Sequence, residues 1–161
     1  MPVIHHSAIC VRDVEASLRF WRDGLGFEVL MDERFEGDWP TLLRAPSSSL
    51  RAVFLGDPAA PGAGIVELVD LGPVPAGGGG GPTGGPAVAG VLVLSVLTDL
   101  DAALARLAAL GLGGVPRRIA VAGVAMAVVA DPDGVAVELV DTAAAANLAR
   151  LAGPDGPEGG G

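Results

Sequence analysis

Glu67 and Glu138 hold the same place in two copies of one five-residue stretch, Val-Glu-Leu-Val-Asp, at 66–70 and 137–141. Each copy reads as a buried strand, with β-branched and aliphatic residues on both faces and one carboxylate among them. A carboxylate in such surroundings costs on the order of several kcal/mol unless a cation or a set of donors meets it. No Lys or Arg lies within five residues of Glu67. Two carboxylates in matching places therefore suggest one shared partner; the alternative is a separate arginine for each, from Arg12, Arg34, Arg51, Arg117 or Arg118. Near the N-terminus, His5 and His6 interrupt the apolar segment 4–11. Strand alternation puts His6, Ala8 and Cys10 on one face and His5, Ser7, Ile9 and Val11 on the other. His6 is then the histidine that points with the functional face, and His5 is a supporting or surface residue.

The elements that must position these groups come twice, in the same order. Segment 4–11 runs into Asp13, a good N-cap, and Val14, Leu18, Trp21 and Leu25 form one helical face that ends at Gly24 and Gly26. Strands are expected at 27–30, 50–55 and 64–69, with an irregular excursion at 35–49 that carries Gly37, Pro40, Pro46 and three serines, and a short helical turn around 39–43. Residues 72–87 are mostly Gly and Pro and read as a linker. The same order then returns: a strand at 91–97, Asp99 as N-cap, and Leu100, Leu104 and Leu107 on one helical face. Strands at 119–121, 124–130 and 135–140 complete it, the last two joined by an Asp-Pro-Asp-Gly turn at 131–134. Asp13 to Glu67 spans 54 residues and Asp99 to Glu138 spans 39, and the difference of 15 matches the excursion. The chain therefore reads as a first βαβββ module at 1–71, a linker at 72–87, a second module at 88–142, and a short helix with a disordered tail at 143–161.

Composition narrows the class. At 161 residues the chain is long enough to bury a core, as one domain built from a duplicated pair of modules. The longest uncharged apolar run, 119–130, is too short to span a bilayer, and no basic region precedes an apolar stretch at the start. A single cysteine, Cys10, makes no internal disulfide, which fits a reducing compartment. The net charge of −9 and the absence of a basic run disfavour nucleic acid. A cytoplasmic protein without membrane or nucleic-acid partners is expected. The five glycines at 77–81 lack the strand, the Lys-Ser/Thr pair and the helix start of a phosphate loop.

Paired βαβββ modules, a His seven residues before the capping Asp (His6 and Asp13), and a closing strand of the form Asp-Pro-Asp-Gly-x-x-x-Glu-Leu at 131–139 resemble the vicinal oxygen chelate superfamily. That superfamily includes glyoxalase I, extradiol dioxygenases, epimerases and antibiotic resistance proteins, and the resemblance covers 4–141. It implies an α+β fold in which two tandem βαβββ modules form a curved, cleft-enclosing mixed sheet. It also implies a divalent metal ion (Mn, Fe, Co, Ni or Zn) held by His6, Glu67 and Glu138. The fourth ligand position of glyoxalase-like members falls at Val91 or Leu92, whose side chains offer no donor. By the same resemblance the protein is a homodimer that acts on a small oxygen-bearing substrate by isomerase, epimerase or lyase chemistry, with Glu67 or Glu138 as the base. A metal-free binding or drug-sequestering protein is the alternative. A ring-cleaving dioxygenase of this superfamily uses two His and one carboxylate, and this chain offers the reverse. Cys10, Arg34 and Trp39 are the further candidates to line or cap a substrate; for Cys10 the competing role is a buried small hydrophobe, and for Arg34 and Trp39 an ordinary packed loop.

Overall fold

The computed structural model describes residues 2, 4–62, 64–76, 90–121 and 123–144, which form two compact units, Met1–Gly78 and Gly79–Gly161. The glycine run at 77–81 and most of the expected linker lie outside the described residues, as do 145–161; of the expected C-terminal helix, a 3-10 turn at Thr142–Ala144 is described. No described helix is long and apolar enough to cross a membrane.

In the first unit, β1 (His6–Cys10) leads to Asp13, whose Oδ1 accepts from the backbone N–H groups of Glu15 and Ala16 at 3.0 and 3.1 Å. That cap satisfies two of the orphan donors at the start of α1 (Val14–Leu18). The helix then widens into a π turn at Arg19–Gly24, closed by bonds such as Leu25 N–H to the Phe20 carbonyl at 3.0 Å. Gly26, at φ +88°, reverses the chain into β2 (Glu28–Glu36). Then come α2 (Trp39–Leu43), β3 (Ser49–Gly56) and β4 (Ile65–Asp70). The sheet order is β1-β4-β3-β2, with β1 parallel to β4 and the other pairs antiparallel.

Register fixes what each face carries. Ala8, Glu67 and Phe54 lie opposite one another, so 6, 8 and 10, 65, 67 and 69, and 50, 52 and 54 share one face. The other face carries Ile9, Val53, Leu55, Val66 and Leu68, all buried, and lies under α1: Arg51 of this face reaches Glu15 of the helix. Phe20 and Trp21 are fully buried, and the Trp21 ring meets those of Phe20 and Phe27 edge-on at 5.3 and 5.7 Å.

The second unit repeats the plan with β5 (Leu94–Thr98), α3 (Leu100–Ala109), β6 (Gly113–Val121), β7 (Val124–Ala130) and β8 (Ala136–Asp141), in the order β5-β8-β7-β6. Asp99 caps α3 through Ala102 N–H at 3.0 Å, and Leu100, Ala103, Leu104 and Leu107 form its buried stripe. The β7–β8 turn is tied by Asp131, whose Oδ1 accepts from Asp133 and Val135 N–H at 2.9 and 2.8 Å, with Gly134 at φ +85°. The fold is thus α+β with tandem βαβββ modules. Two strands run longer than the apolar pattern suggests: β2 continues past Leu30 to Glu36, and β6 begins at Gly113 rather than Ile119. Both are edge strands, paired on one side, where charges and Pro116 are tolerated and the alternation signal fades. By contrast, β5 starts at Leu94, so Val91, Leu92 and Val93 precede it.

Candidate functional site

On the first unit's sheet face away from α1, the His6 Nε2 and Glu67 Oε2 atoms stand 3.3 Å apart. Glu67 is mostly enclosed, with 15% of its side chain exposed, and His6 is more open at 41%. The enclosure comes from neighbouring apolar residues of the same face. Phe54, opposite Glu67 in register, sets its ring 5.6 Å from that of His6, and Phe54, Trp39 and Leu71 pack against buried Leu50, Ala52 and Val69. Trp39 is locked there by its indole N–H, which donates to the Phe35 carbonyl at 3.1 Å. The excursion thus brings Trp39 to the face that carries His6 and Glu67.

His5 joins this group from a direction that strand alternation does not give. Alternation assigns it to the opposite face, yet β1 begins only at His6, and the His5 ring turns back so that its Nδ1 meets His6 Nδ1 at 2.9 Å. The His5 and Phe54 ring centroids are 6.5 Å apart.

In the second unit, Glu138 lies opposite Ser95, and the Ser95 hydroxyl donates to Glu138 Oε2 at 2.5 Å. Glu67 therefore has a histidine beside it and Glu138 a serine. Register also corrects the position equivalent to His6. His6 lies two residues before Ala8, the residue opposite Glu67; two residues before Ser95 is Val93, rather than Val91 or Leu92. Counting back from the caps misses it because Ser95 to Asp99 is one residue shorter than Ala8 to Asp13. Ser95 itself was legible only through this pairing.

Two donors on one divalent ion with bonds of roughly 2.1 Å sit roughly 3.0–3.4 Å apart in octahedral or tetrahedral geometry. A charge-assisted N–H···O bond closes to about 2.7–2.9 Å. The 3.3 Å separation of His6 Nε2 and Glu67 Oε2 is one that two neighbouring ligands can take, and without an ion it is also the reach of a long N–H···O contact. Nitrogen plus carboxylate oxygen is also a donor set that first-row divalent ions accept. Within either unit, no group of three or more described His, Cys, Asp or Glu side chains gathers at one point.

Cys10 is on the His6 face and exposed, not the buried small hydrophobe weighed from the sequence. Arg34 is on the other face, opposite Arg51 in register and away from His6 and Glu67. Arg51 donates to Asp32 at 2.7 and 2.8 Å and to Glu15 at 3.3 Å. Those bonds, before any other influence, hold the Asp32 carboxyl below the ordinary range and push the Arg51 guanidinium up.

A family model described as the glyoxalase/bleomycin resistance protein/dioxygenase superfamily matches residues 3–139. The lactoylglutathione lyase-like protein terB of Aspergillus terreus is 31% identical over 150 residues, covering 85% of this chain and 74% of that protein. Among solved structures, the trypanothione-dependent glyoxalase I of Leishmania major superposes with a TM-score of 0.62 at 21% identity, over 94% of this chain and 95% of its own. TnmS3, an antibiotic-binding protein from Streptomyces sp. CB03234, gives 0.54 at 23% identity, over 88% and 96%. At these identities the two structures speak for the fold.

Proposed function

Since the chain belongs to the glyoxalase/bleomycin resistance protein/dioxygenase superfamily, we propose that it is a metal-dependent, glyoxalase-like isomerase, epimerase or lyase acting on a small oxygen-bearing substrate. The residues that would hold a divalent ion (Mn, Fe, Co, Ni or Zn) are His6, Glu67 and Glu138. The observation that carries this reading is the His6–Glu67 pair, spaced like two ligands and set on an apolar floor. The lyase-like name of the relative at 31% identity supports the same reaction class.

When bound, the ion supplies Lewis-acid polarisation of a carbonyl oxygen. The chain's own part is proton transfer. A carboxylate oxygen of Glu67 or Glu138 takes the proton from the carbon beside that carbonyl, the C–H bonding pair moves into the C–C bond, and the carbonyl π pair moves onto oxygen. Returning the proton to the same carbon from its other face gives epimerisation; returning it to the former carbonyl carbon gives isomerisation where the first carbon bears a hydroxyl, whose proton passes to the new alkoxide oxygen as its own C=O forms. Phe54, opposite Glu67 and 5.6 Å from the His6 ring, shields one side of the pair from water. On this reading the working form is a cytoplasmic homodimer.

A metal-free binding protein is the second reading. Two observations favour it: Val93 stands where a fourth ligand would, and Ser95 already occupies one oxygen of Glu138. The antibiotic-binding protein with this fold illustrates that use.

The deciding measurement is metal content per chain, on protein purified without chelator and after soaking with Mn, Fe, Co, Ni and Zn, for wild type, Glu67→Ala and Glu138→Ala. About one ion per chain, lost in both variants while circular dichroism is retained, is the expected result. No metal in the wild type after soaking sinks the enzyme reading and leaves the binding protein.

A further inference from the structure

We infer that His5 is a positioning residue that sets which nitrogen of His6 carries the proton. The part of this inference that concerns a cation rests on the function proposed above; the part that concerns the metal-free protein rests on geometry alone.

A hydrogen bond between two imidazole nitrogens needs one donor and one acceptor. His6 Nε2 faces the Glu67 carboxylate at 3.3 Å, and two acceptors would repel there, so in the metal-free protein Nε2 carries the hydrogen. A neutral His6 protonated at Nε2 has only a lone pair at Nδ1. The 2.9 Å contact between the two Nδ1 atoms then requires His5 to be the donor, in the Nδ1–H form that a free imidazole populates less. His5 is held for this role at both ends. Its carbonyl accepts from Ile65 N–H at 3.4 Å, which ties its backbone to β4, and its ring stands edge-on to His6 at 5.2 Å with Phe54 beside both.

For His6 to offer Nε2 to a divalent ion, every hydrogen shared by this pair would have to move. Nε2 must give up its hydrogen to expose a lone pair, so a neutral His6 carries it at Nδ1 and donates to His5 Nδ1. His5 then holds its own hydrogen at Nε2. Each ring has one N–H before and after, so the pair as a whole releases no proton: the hydrogen lost from His6 Nε2 is balanced by the one gained at His5 Nε2. His5 thus offers an acceptor to the cation-holding form of His6 and a donor to the empty form, which a side chain with only one of these capacities cannot do.

His5 and His6 are the chain's two histidines, so their rings can be read without interference. The test is a long-range proton–nitrogen correlation spectrum of the full chain labelled with 15N-histidine, metal-free, at a pH of about 9, above the usual imidazole range, with His5→Phe for assignment. The expected result is one ring in the Nδ1–H form, absent from His5→Phe, and one in the Nε2–H form. Zinc should exchange the two forms, with zinc affinity falling about tenfold in His5→Phe and recovering in His5→Gln, whose amide oxygen accepts from His6 Nδ1–H. Two rings that average like free histidine, or His5 in the Nε2–H form before zinc is added, would overturn the inference. The expected metal-free pattern with no response to zinc would uphold His5 as the partner that sets His6 and would defeat the metal-dependent function instead.

Discussion

The Ser95 hydroxyl donates to Glu138 Oε2 from the register position that Ala8 holds opposite Glu67. The two units therefore settle the same partly enclosed carboxylate differently, with a hydroxyl on the neighbouring strand in one and an imidazole two residues earlier in the other. Ser95→Ala copies the first unit's residue without supplying its histidine. The expected cost is about 1 kcal/mol by urea unfolding, the size of one solvent-accessible bond to a carboxylate, and Ser95→Thr should recover most of it. An unchanged midpoint in Ser95→Ala would mean that water serves Glu138 as well as Ser95 does.

The Asp32–Arg51 pair predicts an acid limb in the stability curve. Arg51 lowers the Asp32 carboxyl in the folded chain relative to the unfolded one, where it titrates at about 4. Its contribution is therefore fully present above about pH 4 and disappears as pH falls through the lower folded value. Asp32 is 39% exposed, so the gain at neutral pH stays below about 1 kcal/mol. Melting temperatures of wild type and Asp32→Asn should differ near neutrality and converge towards pH 2; curves that stay parallel down the acid limb would show that other groups set it.

Leu68 and Leu139 follow Glu67 and Glu138 and point to the helix side, fully buried. Truncating either to Ala removes three carbons from a packed interior and should cost about 2–5 kcal/mol. Denaturant titration reads that loss, and a cost below about 1 kcal/mol would mean that the surrounding core collapses into the space.

A Cβ at Gly37 would lie 3.1–3.3 Å from the Trp39 indole, so Gly37→Ala must push the ring by a few tenths of an ångström. The chain has two tryptophans, and Trp21 is fully buried elsewhere. In an amide correlation spectrum the Trp39 indole N–H should move and that of Trp21 stay. If neither moves, Trp39 has room that the packing against Leu50, Ala52 and Val69 does not suggest.

The duplicated plan could be read from the chain because its central strands are written in a nearly invariant apolar code around Glu67 and Glu138, and because Asp13 and Asp99 announce both helices. The edge strands could not be read in full. In β2 the run Asp32, Glu33, Arg34 follows the demands of solvent and of Arg51 rather than alternation, and in β6 Pro116 hides a strand that bends around it. Trp39 stands on the His6 face because a five-residue helix folds over the sheet there, and Arg34 faces away because the β2–β3 register is even across that stretch. Ser95 was hidden for a different reason: it acts through a neighbour, and single-strand periodicity reports direction without reporting who stands opposite; a supporting role for His5 was open from the sequence, but not the turn of its ring towards His6.

The π turn at Arg19–Gly24 has a meaning for how the two halves diverged. From its capping Asp, the first module takes one residue more than the second to reach the next strand. A helix that swells locally absorbs an inserted residue as girth, leaving the strands it connects in their original pairing. The first half thus carries one residue more than the second without a longer loop, and deleting one residue between Arg19 and Gly24 should narrow its helix to the form of α3.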